Sequence, residues 1–399
     1  MVSTKRGATS VPALWRFAMN VLSLRDLLPH GTREGDAIRI EKSCTLSFAA
    51  PVSENILLLQ TASRCERGEA RVFFRLCLPG REKPLYESHA YRIGDAGHGE
   101  RRVAFPPVLW EGIDAQLHVQ LTDGARLFVR ELDLSHAAEL PKTQPVCRFN
   151  AHLGFLSMAP ENTEISFRLA ALCGFRHCIC VPKITRDGVL VCTHDETINH
   201  AARYADGREL ERDIYVRDLD HAELLAFDFG IRKGHVFAGS RIMRLEDFFA
   251  LCVKFGMDPM FSTHPALPHE AWVRVREMLE RFGLLSRFHV KSFSAEILAA
   301  AHRVFGTEID GYTLDIRGLE ENTITDILAT GIDPARCRVG IEIRRADFCP
   351  EYVTRIRAAG MFAAVWSLPR CDFDEVYGAL MAAGVSEFTE DFHLPVFEI

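Results

Sequence analysis

The chain has 399 residues, 48% of them hydrophobic and 25% charged, the balance of an ordinary globular protein with chain enough to bury a core without crosslinks. A formal net charge of −7 excludes a general nucleic-acid or anionic-membrane binder and leaves room only for local basic patches. No run approaches the roughly 20 apolar residues of a membrane span.

In chain order, residues 1–36 read as a lead-in. Pro12, Trp15 and Arg16 interrupt any export signal, and Asn20 and Ser23 break the short apolar run from Phe17 to Leu24. A cytoplasmic location is therefore expected. The 12 cysteines agree: Cys173, Cys178, Cys180 and Cys192 lie within apolar runs, as reduced core thiols do.

Residues 37–137 carry a short alternating rhythm. AIRIEKSCTLSFAA, ARVFFRLCLPG, DAQLHVQLTDG and ARLFVRELDL read as strands, with Gly, Pro, Asp and Asn between them. This predicts a small all-β sandwich. Its loop VLWEG offers Trp110 either as a glycan or protein contact or as a core residue. Residues 138–147, with Pro141 and Pro145, read as a linker.

From residue 148 to 399 apolar strand-like runs alternate with amphipathic helical ones. HCICVPKI, DPMFSTH, RFHVKSF, DGYTLDI, CRVGIEI, MFAAVWSL and VSEFTED are the strands. ENTEISFRLAALCGF, LEDFFALCVKFG, HEAWVRVREMLERFG and SAEILAAAHRVF are among the helices. The number of units and the length fit a (β/α)8 TIM barrel, with a doubly wound open sheet as the main alternative. There is no GxGxxG after a strand and no Gly-Lys-Ser/Thr loop.

Two segments of this half carry a resemblance. Ala151-His152-Leu153-Gly154 is followed by Pro160-Glu161-Asn162-Thr163. Thr185-Arg186-Asp187-Gly188 is followed by His194-Asp195. With VKSFSAEIL, Trp366-Ser367 and GVSEFTED further on, the second half resembles the glycerophosphodiester phosphodiesterases. That resemblance implies a TIM barrel, a role in lipid metabolism, and hydrolysis of glycerophosphodiesters to glycerol 3-phosphate and an alcohol. It implies His152 and His194 as the acid–base pair. It also implies a divalent cation, calcium or magnesium, held by carboxylates against the phosphoryl oxygens.

The positions that match the family's ligands are not acidic. Ile179 and Val181 stand for a Glu-x-Asp pair and Ser262 for a third glutamate. Leu153 replaces an arginine, and His264 replaces a lysine. A hard cation loses its anionic cage if these positions are the whole set, so no cofactor is expected unless the ligands have moved elsewhere. Sliding the second strand by one residue offers Cys178 and Cys180 instead, a soft pair. Asp195 is placed to orient a histidine, and Glu161, His264 and Trp366 to line a substrate site. Two function classes follow. One is a barrel that binds a phosphodiester or a phosphorylated glycan or glycerol with little conventional hydrolysis. The other is a phosphodiester hydrolase or lyase that uses His152 and His194 without a metal or with a relocated one.

Overall fold

The structure is a computed structural model describing residues 20–94, 99–137, 147–318, 322–343 and 349–394. The N-terminal part is two antiparallel sheets. In one, strands run in the order Thr32–Glu34, Ala37–Ile40, Arg126–His136, Leu57–Glu66, Gly99–Phe105, with Asn20–Ser23 also paired to Arg126–His136. In the other, Asp114–Leu121 lies between Cys44–Ala49 and Ala70–Cys77, and two short strands, Tyr86–Glu87 and Tyr91–Ile93, pair with the latter. Alternation decides which side chains go inside. Ala115, Leu117 and Val119 are buried, as are Val72, Phe74 and Leu76 opposite them, and Phe74 stacks on Phe105 at 4.7 Å.

The first sheet includes two strands from the expected lead-in. Neither Asn20–Ser23 nor Thr32–Glu34 alternates in sequence; Thr32, Arg33 and Glu34 are all exposed and are held by backbone pairing, with Glu34 also paired to Arg39. The expected linker falls largely on residues 138–146, outside the described residues.

The second part is a closed barrel of eight parallel strands. They are β1 (Arg148–Ala151), β2 (His177–Cys180), β3 (Asp258–Thr263), β4 (His289–Ser292), β5 (Gly311–Ile316), β6 (Cys337–Glu342), β7 (Phe362–Trp366) and β8 (Glu387–Glu390). Helices α1 (Glu164–Leu172), α2 (Leu245–Phe255), α3 (His269–Phe282), α4 (Ala295–Phe305), α5 (Thr323–Ala329), α6 (Pro350–Ala358) and α7 (Phe373–Ala383) cross between them. Phe167, Phe248, Phe249, Phe261, Trp272, Phe288 and Phe305 fill the layer between strands and helices. Between β2 and α2 an insertion folds over its own apolar cluster of Ile198, Val216, Leu224 and Phe229.

The interior of the barrel is layered by charge. At the N-terminal ends of the strands Arg148 binds Asp310 (2.7 Å), Arg338 and Asn150 both bind Glu387 (2.7 Å each), and His289 reaches Asp310 (3.0 Å). Burial pushes the Glu387 carboxyl up, but Arg338 and Arg148 overrule it and hold it at about 2. This end is a closed, paired floor, leaving chemistry to the opposite end.

The sandwich is fastened to the barrel at β8 and α7. Tyr86 donates to the carbonyl of Phe392 (2.7 Å), His89 meets Glu390 (3.3 Å), and Tyr91 meets His393 (3.1 Å). Arg101 pairs with Asp374 (2.7 Å). Trp110 is partly buried with its ring edge-on to Phe237 of the insertion, 4.7 Å between centroids, so it serves the contact between the two parts.

Candidate active site at the C-terminal end of the barrel

The C-terminal strand ends surround a cavity of about 1270 Å³. Val181 follows β2 on its wall, and Ser262 and His264 come from the end of β3. Asp315 and Arg317 come from β5, Glu342 from β6 and Trp366 from β7. His194, Asp195 and Glu196 enter from the segment after the strand Leu190–Cys192. The fold thus brings His194, Asp195, His264 and Trp366 to one cavity. His152 and Glu161 are not on its wall.

His194 is exposed, and its Nδ1 lies 2.7 Å from Asp195 Oδ1. That contact favours the proton on Nδ1 and leaves Nε2 to accept or give one. His152 stands at the end of β1, its Nδ1 3.5 Å from the carboxylate of Asp391, the residue just past β8. Glu161 points elsewhere: its carboxylate is 3.8 Å from His200, and it lies within electrostatic reach of Lys233. The loop between His152 and Glu161 depends on backbone that few side chains adopt, with Leu153 at φ 53° and Gly154 at φ 85°. Asn162 has φ 54° and accepts from the Val181 amide through Oδ1 (3.3 Å). The N-cap position belongs to Thr163.

Two of the three positions that match the family's metal ligands are hydrocarbon. Ile179 and Val181 point into the barrel and close on Leu153 and Met260 as a separate buried cluster, with Leu156 against it. Such a cluster has no lone pairs to offer a hard cation, which takes six or more oxygens. Ser262, at the third position, has a single hydroxyl. The residues at these positions do not fit calcium or magnesium, and among the described residues no cluster of three or more His, Cys, Asp or Glu forms a metal site. The alternative pair fails by strand alternation. Cys178 and Cys180 face the helix layer beside Cys192 and Cys252, and burial pushes their thiols far up.

Several polar residues here were not found by sequence reasoning. Lys183, buried, donates to the His264 carbonyl (2.7 Å), and burial lowers its ammonium. Lys233, from the insertion, donates to the carbonyls of Leu156 and Ser157 (2.8 and 3.0 Å), and burial brings it down to about 8. Inside the barrel Lys291 lies 3.4 Å from Asp315 and donates to Thr389 (3.1 Å). Burial raises Asp315 to about 6 although Lys291 opposes it. The one available signal was a charge within an apolar strand, in HVKSF and GYTLDI.

Comparison with known proteins agrees with this geometry. The model of the "Glycerophosphoryl diester phosphodiesterase family" matches residues 152–370. A glycerophosphodiester phosphodiesterase of Bacillus altitudinis is 26% identical over 216 residues, covering 52% of this chain and 80% of that protein. One from Caldanaerobacter subterraneus subsp. tengcongensis is 35% identical over 101 residues, 25% of this chain; the chain spans only 38% of that relative's length. Among solved structures, an Oleispira antarctica phosphodiesterase in complex with the product sn-glycerol-3-phosphate superposes with TM-score 0.53 at 18% identity, over 63% of this chain and 95% of that one. At that identity the likeness shows the shared barrel.

Proposed function

Because the chain belongs to the glycerophosphoryl diester phosphodiesterase family, we propose that it binds a phosphodiester or a phosphorylated glycerol or glycan at the C-terminal mouth of its barrel, with little metal-assisted hydrolysis. The observation that carries this reading is the apolar cluster of Leu153, Ile179, Val181 and Met260. Attack on a phosphodiester requires its equatorial oxygens to be neutralised as charge develops. In the family the resemblance assigns that task to a cation and an arginine. Here the cation's positions hold Ile179, Val181 and Ser262 and the arginine's holds Leu153, none of them charged, so a resident divalent cation is not part of the proposal. What remains suits recognition: His194, held by Asp195, and His264, backed by the Lys183 ammonium, place hydrogen-bond donors on one side of the cavity. The product named for the Oleispira antarctica protein gives the first ligand to try.

A second reading is favoured by the two histidine–carboxylate contacts. A diester that carries its own neighbouring hydroxyl needs a base to take the hydroxyl proton and an acid to protonate the leaving oxygen. It needs a metal less. His152 and His194 would fill those roles, forming a cyclic phosphodiester as the P–O bond to the alcohol breaks.

The binding reading is tested by titrating the protein with sn-glycerol-3-phosphate in EDTA by calorimetry, beside His194→Ala. Saturable binding weakened about tenfold or more in the variant is the expected result. No heat above dilution in the unaltered protein contradicts it.

A further inference from the structure

The cavity is larger than a glycerol phosphate needs. Pockets of about 300–1,000 Å³ take a drug-sized ligand, and this one measures about 1270 Å³. It extends past the strand ends of β4 and β5 to the first turn of α4 and along α5, where Ala295, Ala299, Gly318 and Ala329 keep the walls low. Phe293, the residue after β4, is 43% exposed, and its ring meets Trp366 of β7 edge-on at 5.3 Å. β4 and β7 are not neighbours in the barrel, so this pair reaches across the mouth. The indole is fixed, its Nε1 donating to the Gly340 carbonyl (3.0 Å). In strand order Phe293 stands between His264, after β3, and the α4–α5 side. An aromatic ring left open in this way offers an apolar face to a ligand.

The polar groups beyond that ring are of mixed sign. Glu296, Asp326 and Glu342 line the wall together with Arg317, whose Nε is 4.0 Å from Glu342. Asn322, also on the wall, donates to Asp326 (2.9 Å). A second phosphate placed here would meet three carboxylates. An acyl chain would cover the same carboxylates without offering them a hydrogen bond, which is costly. A sugar meets both conditions. Its hydroxyls donate to carboxylates and accept from a guanidinium, and the C–H face of its ring packs on an aromatic one.

We propose that the group carried by the ligand's phosphate is a sugar, with Phe293 as the platform for its ring and the α4–α5 side, Asp326 and Asn322 in particular, as the site for its hydroxyls. The assignment rests on the phosphate-binding reading of the cavity given above and narrows it from glycerol or glycan to glycan. Phe293 and Asp326 are then specificity-determining residues, which act on the sugar and not on the phosphate.

Monoesters that share one phosphate and differ in what it carries test this. The full chain is titrated by calorimetry at pH 7.5 in EDTA with propyl phosphate, octyl phosphate and the 1-phosphates of glucose, galactose, mannose and N-acetylglucosamine. At least one sugar phosphate is expected to bind about tenfold or more tighter than propyl phosphate, and octyl phosphate within about twofold of it. Phe293→Ala is expected to weaken the preferred sugar phosphate about fivefold and propyl phosphate less than twofold, and Phe293→Tyr to restore the sugar. If Phe293→Ala does not fold, Asp326→Ala, on the exposed side of α5, is expected to give the same selective loss. No sugar phosphate tighter than propyl phosphate, octyl phosphate the tightest of the set, or an equal loss for sugar and propyl phosphates would overturn the assignment and leave the phosphate reading standing. Failure of the unaltered protein to bind any of these phosphates would overturn both.

Discussion

At the scale of single residues, the function turns on what occupies the strand ends of β2 and β3. Ile179 is 1% exposed and packs on Leu153, Val181 and Met260. A carboxylate there would be buried without a partner, and the penalty for an unpaired buried charge is several kcal/mol. Ile179→Glu is therefore expected to lower stability by about 3 kcal/mol or more, measured by denaturant unfolding in EDTA. A change under about 1 kcal/mol would mean that the position is open to water and that the cluster does not seal the site. The histidines present the opposite case. Asp195→Asn leaves His194 in place but weakens the 2.7 Å contact. It is expected to weaken binding of sn-glycerol-3-phosphate in EDTA, measured by calorimetry; unchanged binding would contradict an orienting role for Asp195.

Element by element, much of the site was legible because barrel strands end where chemistry is placed. The strand ends bearing Ser262, His264 and Trp366 could be read from apolar runs followed by a polar stop. The substitutions at Ile179 and Val181 were legible too, since the turn Thr185–Gly188 fixes their register. Lys291 and Asp315 were missed because nothing local announces that two buried charges on neighbouring strands meet; only barrel closure supplies that fact. Asp391 was missed for a similar reason: β8 returns beside β1 only when the barrel closes. The floor of the barrel leads to a pH expectation. Burial, the leading cause, lowers His289 and His177 to about 4, so the unfolded chain takes up protons at these residues before the folded one does. Their contribution to stability is intact above pH 6.5 and is lost as pH falls from 6.5 toward 4. Unfolding free energy should drop by on the order of 3 kcal/mol per histidine across that window, and His289→Gln should flatten the slope. A stability profile unchanged between His289→Gln and the unaltered protein would contradict this.

Across the whole molecule, the sandwich is a brace. Tyr86, His89 and Tyr91 bind Phe392, Glu390 and His393, the residues on either side of Asp391, and Asp391 faces His152. One hydrophobic core runs through both parts, from Leu57 and Phe74 to Tyr377 and Phe388. The two parts should therefore unfold together. A single calorimetric transition is expected, and two separated transitions would contradict the brace. Composition could not show this, because the contacts are scattered between residues 86–110 and 237–393. Among the described residues no helix is long and apolar enough to cross a membrane. Whether the barrel mouth lacks a working cation cage is read by following a glycerophosphodiester by phosphorus NMR with the full chain in EDTA, then with added calcium or magnesium. No more than trace release of glycerol 3-phosphate and no stimulation by either ion are expected. Turnover that rises with the ion and vanishes in His152→Ala would contradict this.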